Sequence, residues 1–443
     1  MSTQSHYPLL DGREPGDIFA WWRGEAIPVQ RFIRQAQALA ATLPEAWHAI
    51  NLCEDRYLFL LGFVAVMLRG QVTLLPPNRA PRMVEAIAAD HPGCYCLVDA
   101  RLPELALAQH LVEAIPDCGV DEARLPSLPA AQAAATVFTS GSTGQARAHA
   151  KTWGELVGGA QAIVAALGLE DGQATVVATV PPQHMYGLET SVLLPLAAGL
   201  SVHGGRPFFP ADLQQALQQT PGPKLLVTTP LHLRACLGAR LEWPRLRGIV
   251  SATAPLAAED AAAAERLFGC VLTEIYGSSE TGAIATRRTA RTQSWQLHPG
   301  LALRSVGERV EVSGGHLPRG QLLDDVLELD AEGCFRLQGR HGDMLKIAGK
   351  RASLADLNLQ LQSLPGVEDG VFIAPEPGRG ERLAALVVAP QLECAEILRA
   401  LQQRIDPVFL PRPIYRVAKL PRNDTGKLSR EALKALLDGL RRG

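Results

Sequence analysis

Thr139-Ser140-Gly141-Ser142-Thr143-Gly144-Gln145-Ala146-Arg147 follows directly on the apolar run Ala133-Ala134-Ala135-Thr136-Val137-Phe138. Hydroxyl side chains and glycines succeed one another without a break. Such a stretch cannot be core, because glycine and serine bury little and leave polar groups to satisfy. It reads as a strand running into a loop that binds an anion. Glycine lets the backbone approach closely, while exposed N–H groups and hydroxyls donate to phosphate oxygens. A flexible Ser/Gly linker would be longer and would not abut a buried strand.

Working outward, helical and strand patterns alternate from about residue 50, as a layered α/β protein requires. Residues 58–69 suit a buried helix and 71–75 a short strand closed by Pro76-Pro77. Residues 175–180, 224–229 and 248–252 are apolar runs bounded by Pro or Gly, the pattern of strands covered on both faces. Helices are expected over 211–219 and 257–268. Residues 305–338 switch to short alternating strands and predict a smaller β subdomain. After Gly342 the pattern restarts: helix 355–364, strands 370–374 and 383–389 joined at Gly378-Arg379-Gly380, helix 394–405 and a closing helix 429–440. The expected architecture is a large α/β unit over 1–341 with a β subdomain, and a small α+β unit over 342–443.

Bulk properties narrow the class. With 443 residues and a net charge of -2, the chain has room for two or three domains and no basic field pointing to nucleic acid or membrane. Its eight cysteines include no C-x-x-C pair, which argues against structural zinc and for a reducing cytoplasm. The apolar run 57–68 is too short to span a bilayer, and the N-terminal segment lacks a signal core. The phosphate loop is not the common P-loop, since Gly144 is followed by Gln145, and no G-x-G-x-x-G opens a helix.

Five segments, in order, resemble the signatures of adenylate-forming enzymes: acyl- and aryl-CoA synthetases, luciferases and peptide-synthetase adenylation domains. The first is the loop at 139–147, where Ala146 and Arg147 stand for the family's proline and lysine. Next come Ser251-Ala252-Thr253-Ala254-Pro255-Leu256, with Ala252 and Thr253 where glycines are usual, and Tyr276-Gly277-Ser278-Ser279-Glu280. Gly339-Arg340 with Asp343-Met344-Leu345-Lys346 and Gly349 resembles the junction between the two domains. Leu420-Pro421-Arg422-Asn423-Asp424-Thr425-Gly426-Lys427-Leu428-Ser429-Arg430 resembles the segment with the catalytic lysine. The resemblance runs over residues 50–437.

It implies ATP-dependent activation of a carboxylic acid to an acyl-adenylate, then transfer to a phosphopantetheine thiol of CoA or an acyl carrier protein. Thr139, Ser140, Gly141, Ser142, Thr143, Gly144 and Arg147 would cradle the phosphates, and Glu280 would hold Mg2+, a hard ion that takes carboxylate oxygen. Thr253, Ala254, Pro255, Tyr276, Gly277 and Ser279 would contact the adenine side. Asp325, eight residues before Gly333, would hold the ribose hydroxyls, although Asp324 is adjacent. Arg340 would support ribose and phosphate, and Lys427 would neutralise charge at the α-phosphate and the attacking carboxylate. His184, in a P-x-x-H-x-x-G-L segment, would line the acid pocket; beside Met185 and Tyr186 it also reads as a packed side chain. No aspartate for an amino group is evident, which argues against an amino-acid substrate.

The family also swings its small domain between half-reactions, with the hinge falling on Gly342 and the loop near Gly349 then lining the thiol tunnel. The loop variant followed by His149, Lys151, Thr152 and Trp153 resembles compact bacterial ligases of aryl-polyene and fatty-acid-type clusters. Residues 405–443 carry nine Lys/Arg against four acidic residues, a surplus that suits an acidic carrier protein or simply a solvated face. An aryl or medium-chain acid is expected. A non-thiol acceptor, or a non-catalytic nucleotide-binding scaffold, remain the alternatives.

Overall fold

A computed structural model describes residues 5–10, 12–113, 125–140, 146–330, 333–340, 344–347, 350–374, 382–422, 428 and 430–442. Two sheets carry the large unit. The six-stranded sheet runs, in spatial order, Ala146–Thr152, Ala133–Ser140, Val72–Leu75, His48–Asn51, Tyr95–Val98 and Gln109–Leu111. Every neighbouring pair is parallel except the first, so the strand feeding the phosphate loop turns back as an antiparallel hairpin at the sheet's edge.

The eleven-stranded sheet has a parallel centre of Leu272–Ser278, Gly248–Ser251, Lys224–Thr228, Thr175–Ala178, Ser201–His203 and Ile18–Trp22. Thr175–Ala178 is buried at every position, as its unbroken apolar run required. Helix Arg56–Leu68 is buried almost all round, and helix Trp153–Leu167 starts at a Thr152/Glu155 capping box and ends on left-handed Gly168. Their side chains join those of both sheets in one continuous core. Helices Pro210–Gln219, Pro230–Gly238 and Ala258–Phe268 cover the far face through a second core.

The expectation of a β subdomain over 305–338 needs correction. The separate sheet is Leu301–Val306, Arg309–Gly314 and Gln321–Leu322, whereas Asp325–Leu329 and Cys334–Arg340 join the large sheet through Trp295–Leu297. Alternation shows that a strand is half-buried; it does not say which sheet the strand extends.

The C-terminal unit has a core of its own, including Ile347, Leu357, Leu361, Phe372, Ile397 and Leu401. Helix Leu354–Gln362, the antiparallel pair Asp369–Ile373 and Ala384–Val388, and helices Cys394–Gln402 and Arg430–Arg442 occupy the expected stretches. Strand Ile414–Arg416, parallel to Ala384–Val388, was not foreseen. The expected turn at 378–380 and the border at 341/342 lie outside the described residues.

Candidate functional site

The parallel strands Gly248–Ser251 and Leu272–Ser278 end side by side, and ligands of open α/β sheets bind beyond such carboxyl ends. At the second end a bulge falls between Tyr276 and Gly277. A Cβ at 277 would lie 2.1 Å from the Gly282 carbonyl oxygen, so the chain can double back this tightly only at glycine. The bulge leaves Tyr276 half-buried between Trp295 and Phe335, with ring centroids 5.5 and 5.6 Å away. The Tyr276 hydroxyl donates to Asp325 Oδ2 at 2.7 Å. Asp325 stands opposite Arg340 in the antiparallel register, while its neighbour Asp324 pairs outward with Arg309 at 2.7 Å. Of the two adjacent carboxylates, Asp325 is therefore the one beside Tyr276.

After the first strand, Thr253 adopts φ +80°, a left-handed conformation that a β-branched residue holds only under constraint. Glycine is the residue the resemblance expects there. Ala254 and Pro255 follow, exposed.

The hairpin brings a second group together. Thr139 Oγ1 lies 3.2 Å from His149 Nε2, and the same nitrogen lies 3.5 Å from Glu280 Oε1. Burial alone would raise the Glu280 carboxyl. Its own backbone N–H, the Ser278 hydroxyl, His149 and Arg147 outweigh that and hold it below the ordinary carboxylate value. Burial lowers the His149 imidazole, with Glu280 opposing and Lys151 and Arg147 reinforcing. A single ionised carboxylate beside a hydroxyl strand suits Mg2+, which keeps most of its shell as water and substrate phosphate. Among the described residues no group of three or more His, Cys, Asp or Glu is placed to hold a metal ion by itself.

Beneath this row lie side chains that sequence reasoning missed as site residues. Lys151 is buried and donates to the Glu280 carbonyl at 2.6 Å. Glu189 opens a π-helical turn, Glu189–Leu193, and accepts from the Ala283 N–H at 2.9 Å. Burial pushes its carboxyl up to about 7, against the pull of the Ala283 N–H and Lys151. His316 Nε2 lies 2.8 Å from the Thr281 carbonyl, which accepts from it. An available signal was a glutamate inside the apolar run 185–197.

His184 caps the short helix Met185–Leu188 that leads into this turn. That helix is held by the Tyr186 hydroxyl, which donates to the Thr228 and Val250 carbonyls at 3.0 and 2.9 Å. Fully buried Arg56 ties the Ala178 and Val180 carbonyls, at 3.0 and 2.8 Å, to the Ser191 hydroxyl.

Tyr276 thus meets Asp325, and Thr139 and Glu280 meet through His149, with Ser279 half-buried between Tyr276 and Glu280. Gly141, Ser142, Thr143, Gly144, Gly342, Gly349 and Lys427 lie outside the described residues. Ser140 and Arg340 are placed by their backbone alone.

The family model for AMP-binding enzymes matches residues 19–321. A 4-coumarate–CoA ligase of Rhodobacter capsulatus is 34% identical over 262 residues, covering 58% of this chain and 64% of its own. One from Halorhodospira halophila is 29% identical over 307 residues, covering 66% and 74%. The chain thus spans somewhat under two thirds of the first relative's length. In fold it is similar to ATP-bound MatB from Rhodopseudomonas palustris, with a TM-score of 0.81, 17% identity and coverage of 96% and 97%. It is likewise similar to the o-succinylbenzoate CoA synthetase of Bacillus subtilis in complex with its acyl-adenylate, with a TM-score of 0.81, 17% identity and coverage of 97% and 98%. No described helix is long and apolar enough to cross a membrane.

Proposed function

This chain belongs to the AMP-binding enzyme family, and we propose that it is an ATP-dependent acid–thiol ligase. A carboxylate resists nucleophiles because it is anionic and lacks a leaving group. Attack of a carboxylate oxygen on the α-phosphorus, with cleavage of the α–β phosphoanhydride, gives an acyl-adenylate and pyrophosphate. A thiolate then attacks the acyl carbon, the bond to the AMP oxygen breaks, and the thiol proton passes to solvent.

The observation that carries this reading is the pairing of two sub-sites on the segment from Tyr276 to Glu280. Tyr276 and Asp325 offer a ring for the adenine and a carboxylate able to accept from two ribose hydroxyls. Thr139, His149 and Glu280 form a donor-and-carboxylate row for the triphosphate. Mg2+ held by Glu280 would neutralise the phosphate charge on which the first step depends. Arg147, with the glycines and hydroxyls of 139–144, would orient the β- and γ-phosphates. Arg340 and Lys427 would neutralise charge at the α-phosphate, and His184 would border the acid.

We assign the lysine-bearing unit, 342–443, to a swing about Gly342 that brings the Gly349 loop to the thiol. The relatives' names favour an aryl acid and CoA. The basic surplus of the C-terminal segment keeps an acidic carrier protein as the second acceptor, and the scattered cysteines suit a cytoplasmic setting.

The test is carboxylate-dependent ATP–pyrophosphate exchange over aryl and short-, medium- and long-chain acids, followed by thioester formation with CoA and a holo carrier protein. Lys427→Ala should lower exchange by about a hundredfold or more while sparing thioester formation from supplied acyl-adenylate. Equal loss of both half-reactions would reject the two-conformation account, and silence with every acid would favour a non-catalytic nucleotide-binding role.

A further inference from the structure

The main chain of residues 280–283 is gripped from three directions. Lys151 takes the carbonyl of 280, His316 the carbonyl of 281, and Glu189 the N–H of 283, at 2.6, 2.8 and 2.9 Å. The three side chains come from distant parts of the sequence: the outer strand of the phosphate hairpin, the loop after Arg309–Gly314, and the π-helical turn that follows helix Met185–Leu188. Two of them, Glu189 and His316, pack against helix Trp153–Leu167. A Cβ at Gly159 would lie 3.5 Å from Glu189 Oε1 and 3.8 Å from the His316 ring, and one at Gly158 only 3.0 Å from His316 Cβ. Two adjacent glycines in a helix interior are intrinsically unfavourable. Here they form the notch that admits these side chains.

Residue 280 is thereby pinned on both sides. Residues 149 and 151 are two apart on one strand and share a face. From that face Lys151 holds the carbonyl of 280 while His149 stands beside its carboxylate. A surface turn needs no buried lysine to keep its shape. Glu155, Glu189 and Glu280 all act on the Lys151 ammonium, so it also supplies the charge that lets the acidic groups sit together.

We propose that Lys151, Glu189 and His316 are positioning residues that fix the 280–283 turn, so that the Glu280 carboxylate is aimed at the nucleotide's metal before the nucleotide arrives. The proposal rests on the ligase reading and on Glu280 as the metal carboxylate. It adds a device that couples metal affinity to the packing of the π-helical turn Glu189–Leu193.

The test measures Mn2+ binding to the full-length protein with ATP, by electron paramagnetic resonance, beside AMP binding without metal. Lys151→Met should weaken Mn2+ affinity of the ATP complex about tenfold, the effect expected when an outer partner of a ligand is lost. Metal-free AMP affinity should stay within about twofold, because a 1.4 kcal/mol loss confined to the metal is what a tenfold change means. His316→Ala should act in the same direction. His316→Gln, whose amide still donates to the Thr281 carbonyl, should restore Mn2+ binding and serves as the measurement if Lys151→Met does not fold.

Glu280→Gln is the control. If it weakens Mn2+ while Lys151→Met and His316→Ala do not, the clamp is wrong. If Glu280→Gln leaves Mn2+ affinity intact, the metal assignment itself fails. Equal loss of metal-free AMP binding in the clamp variants would reduce them to general scaffold residues and overturn the proposal.

Discussion

The Tyr276 hydroxyl and the Asp325 carboxylate share one charge-assisted bond of 2.7 Å, and that bond has a measurable consequence. Tyr276→Phe keeps the ring and removes the donor, a loss of about 1.5–3 kcal/mol in bonds to charged groups. The expected result is an ATP KM raised about tenfold with kcat nearly unchanged, read by pyrophosphate exchange. An unchanged KM would remove Asp325 from nucleoside recognition. Glu189 yields a prediction in pH. Its folded carboxyl titrates near 7 because burial disfavours the charge. The folded state therefore holds a proton that the unfolded chain releases near the ordinary glutamate value, and the group's contribution to stability falls as pH rises between the two. Glu189→Gln should gain stability relative to the parent from about pH 4.5 to 7, by on the order of 2–3 kcal/mol, and no further above that window. Urea titrations of both proteins at matched pH check the sign, and a difference independent of pH would refute it. Tyr276 and Glu280 were legible within one short motif, and Asp325 by its eight-residue distance to Gly333, because each pattern is local in sequence. Lys151, Glu189 and His316 were not, since they meet only after three distant segments have packed.

Between elements, the approach of helix Trp153–Leu167 to the 280–283 turn is set by two glycines that a propensity scale treats alike. The structure separates them. Gly158→Ala must displace His316, whose Cβ would be 3.0 Å away, so overpacking of about 1–3 kcal/mol outweighs the better helix former. Gly159→Ala meets its neighbours at 3.5 and 3.8 Å, ordinary contact, and should be neutral or stabilising by up to about 1 kcal/mol. Thermal unfolding of the pair decides the matter, and the reverse order would mean that His316 does not enter the notch. Most helices and central strands were readable at this scale: Arg56–Leu68 as a long apolar run, Cys394–Gln402 from apolar residues at helical spacing. Assignment to sheets was not. Asp325–Leu329 looks like a subdomain strand until Trp295–Leu297 is seen to carry it into the large sheet.

For the whole molecule, the small unit encloses its own apolar core and meets the large one near a group of charges. Arg422 grips Asp369 through two bonds of 2.6 Å, and both act on Arg234, itself 3.7 Å from Asp260 on the large unit. Units that enclose separate cores depart from a single two-state transition. Scanning calorimetry should accordingly resolve two transitions, the smaller belonging to the C-terminal unit; one transition with equal calorimetric and van't Hoff enthalpies would show the junction to dominate. The phosphate hairpin has a consequence of another kind. Its outer strand, Ala146–Thr152, is the margin of the six-stranded sheet and, among the described residues, pairs with a neighbouring strand on one side alone. Open margins recruit strands from other molecules and lead to polymerisation unless charge or shape prevents it. This one carries exposed Arg147 and buried Lys151 on one face, two basic groups that an added strand would have to accommodate. Holding a nucleotide loop at an open margin and keeping that margin from seeding aggregates are thus one problem, and the same two basic side chains answer it.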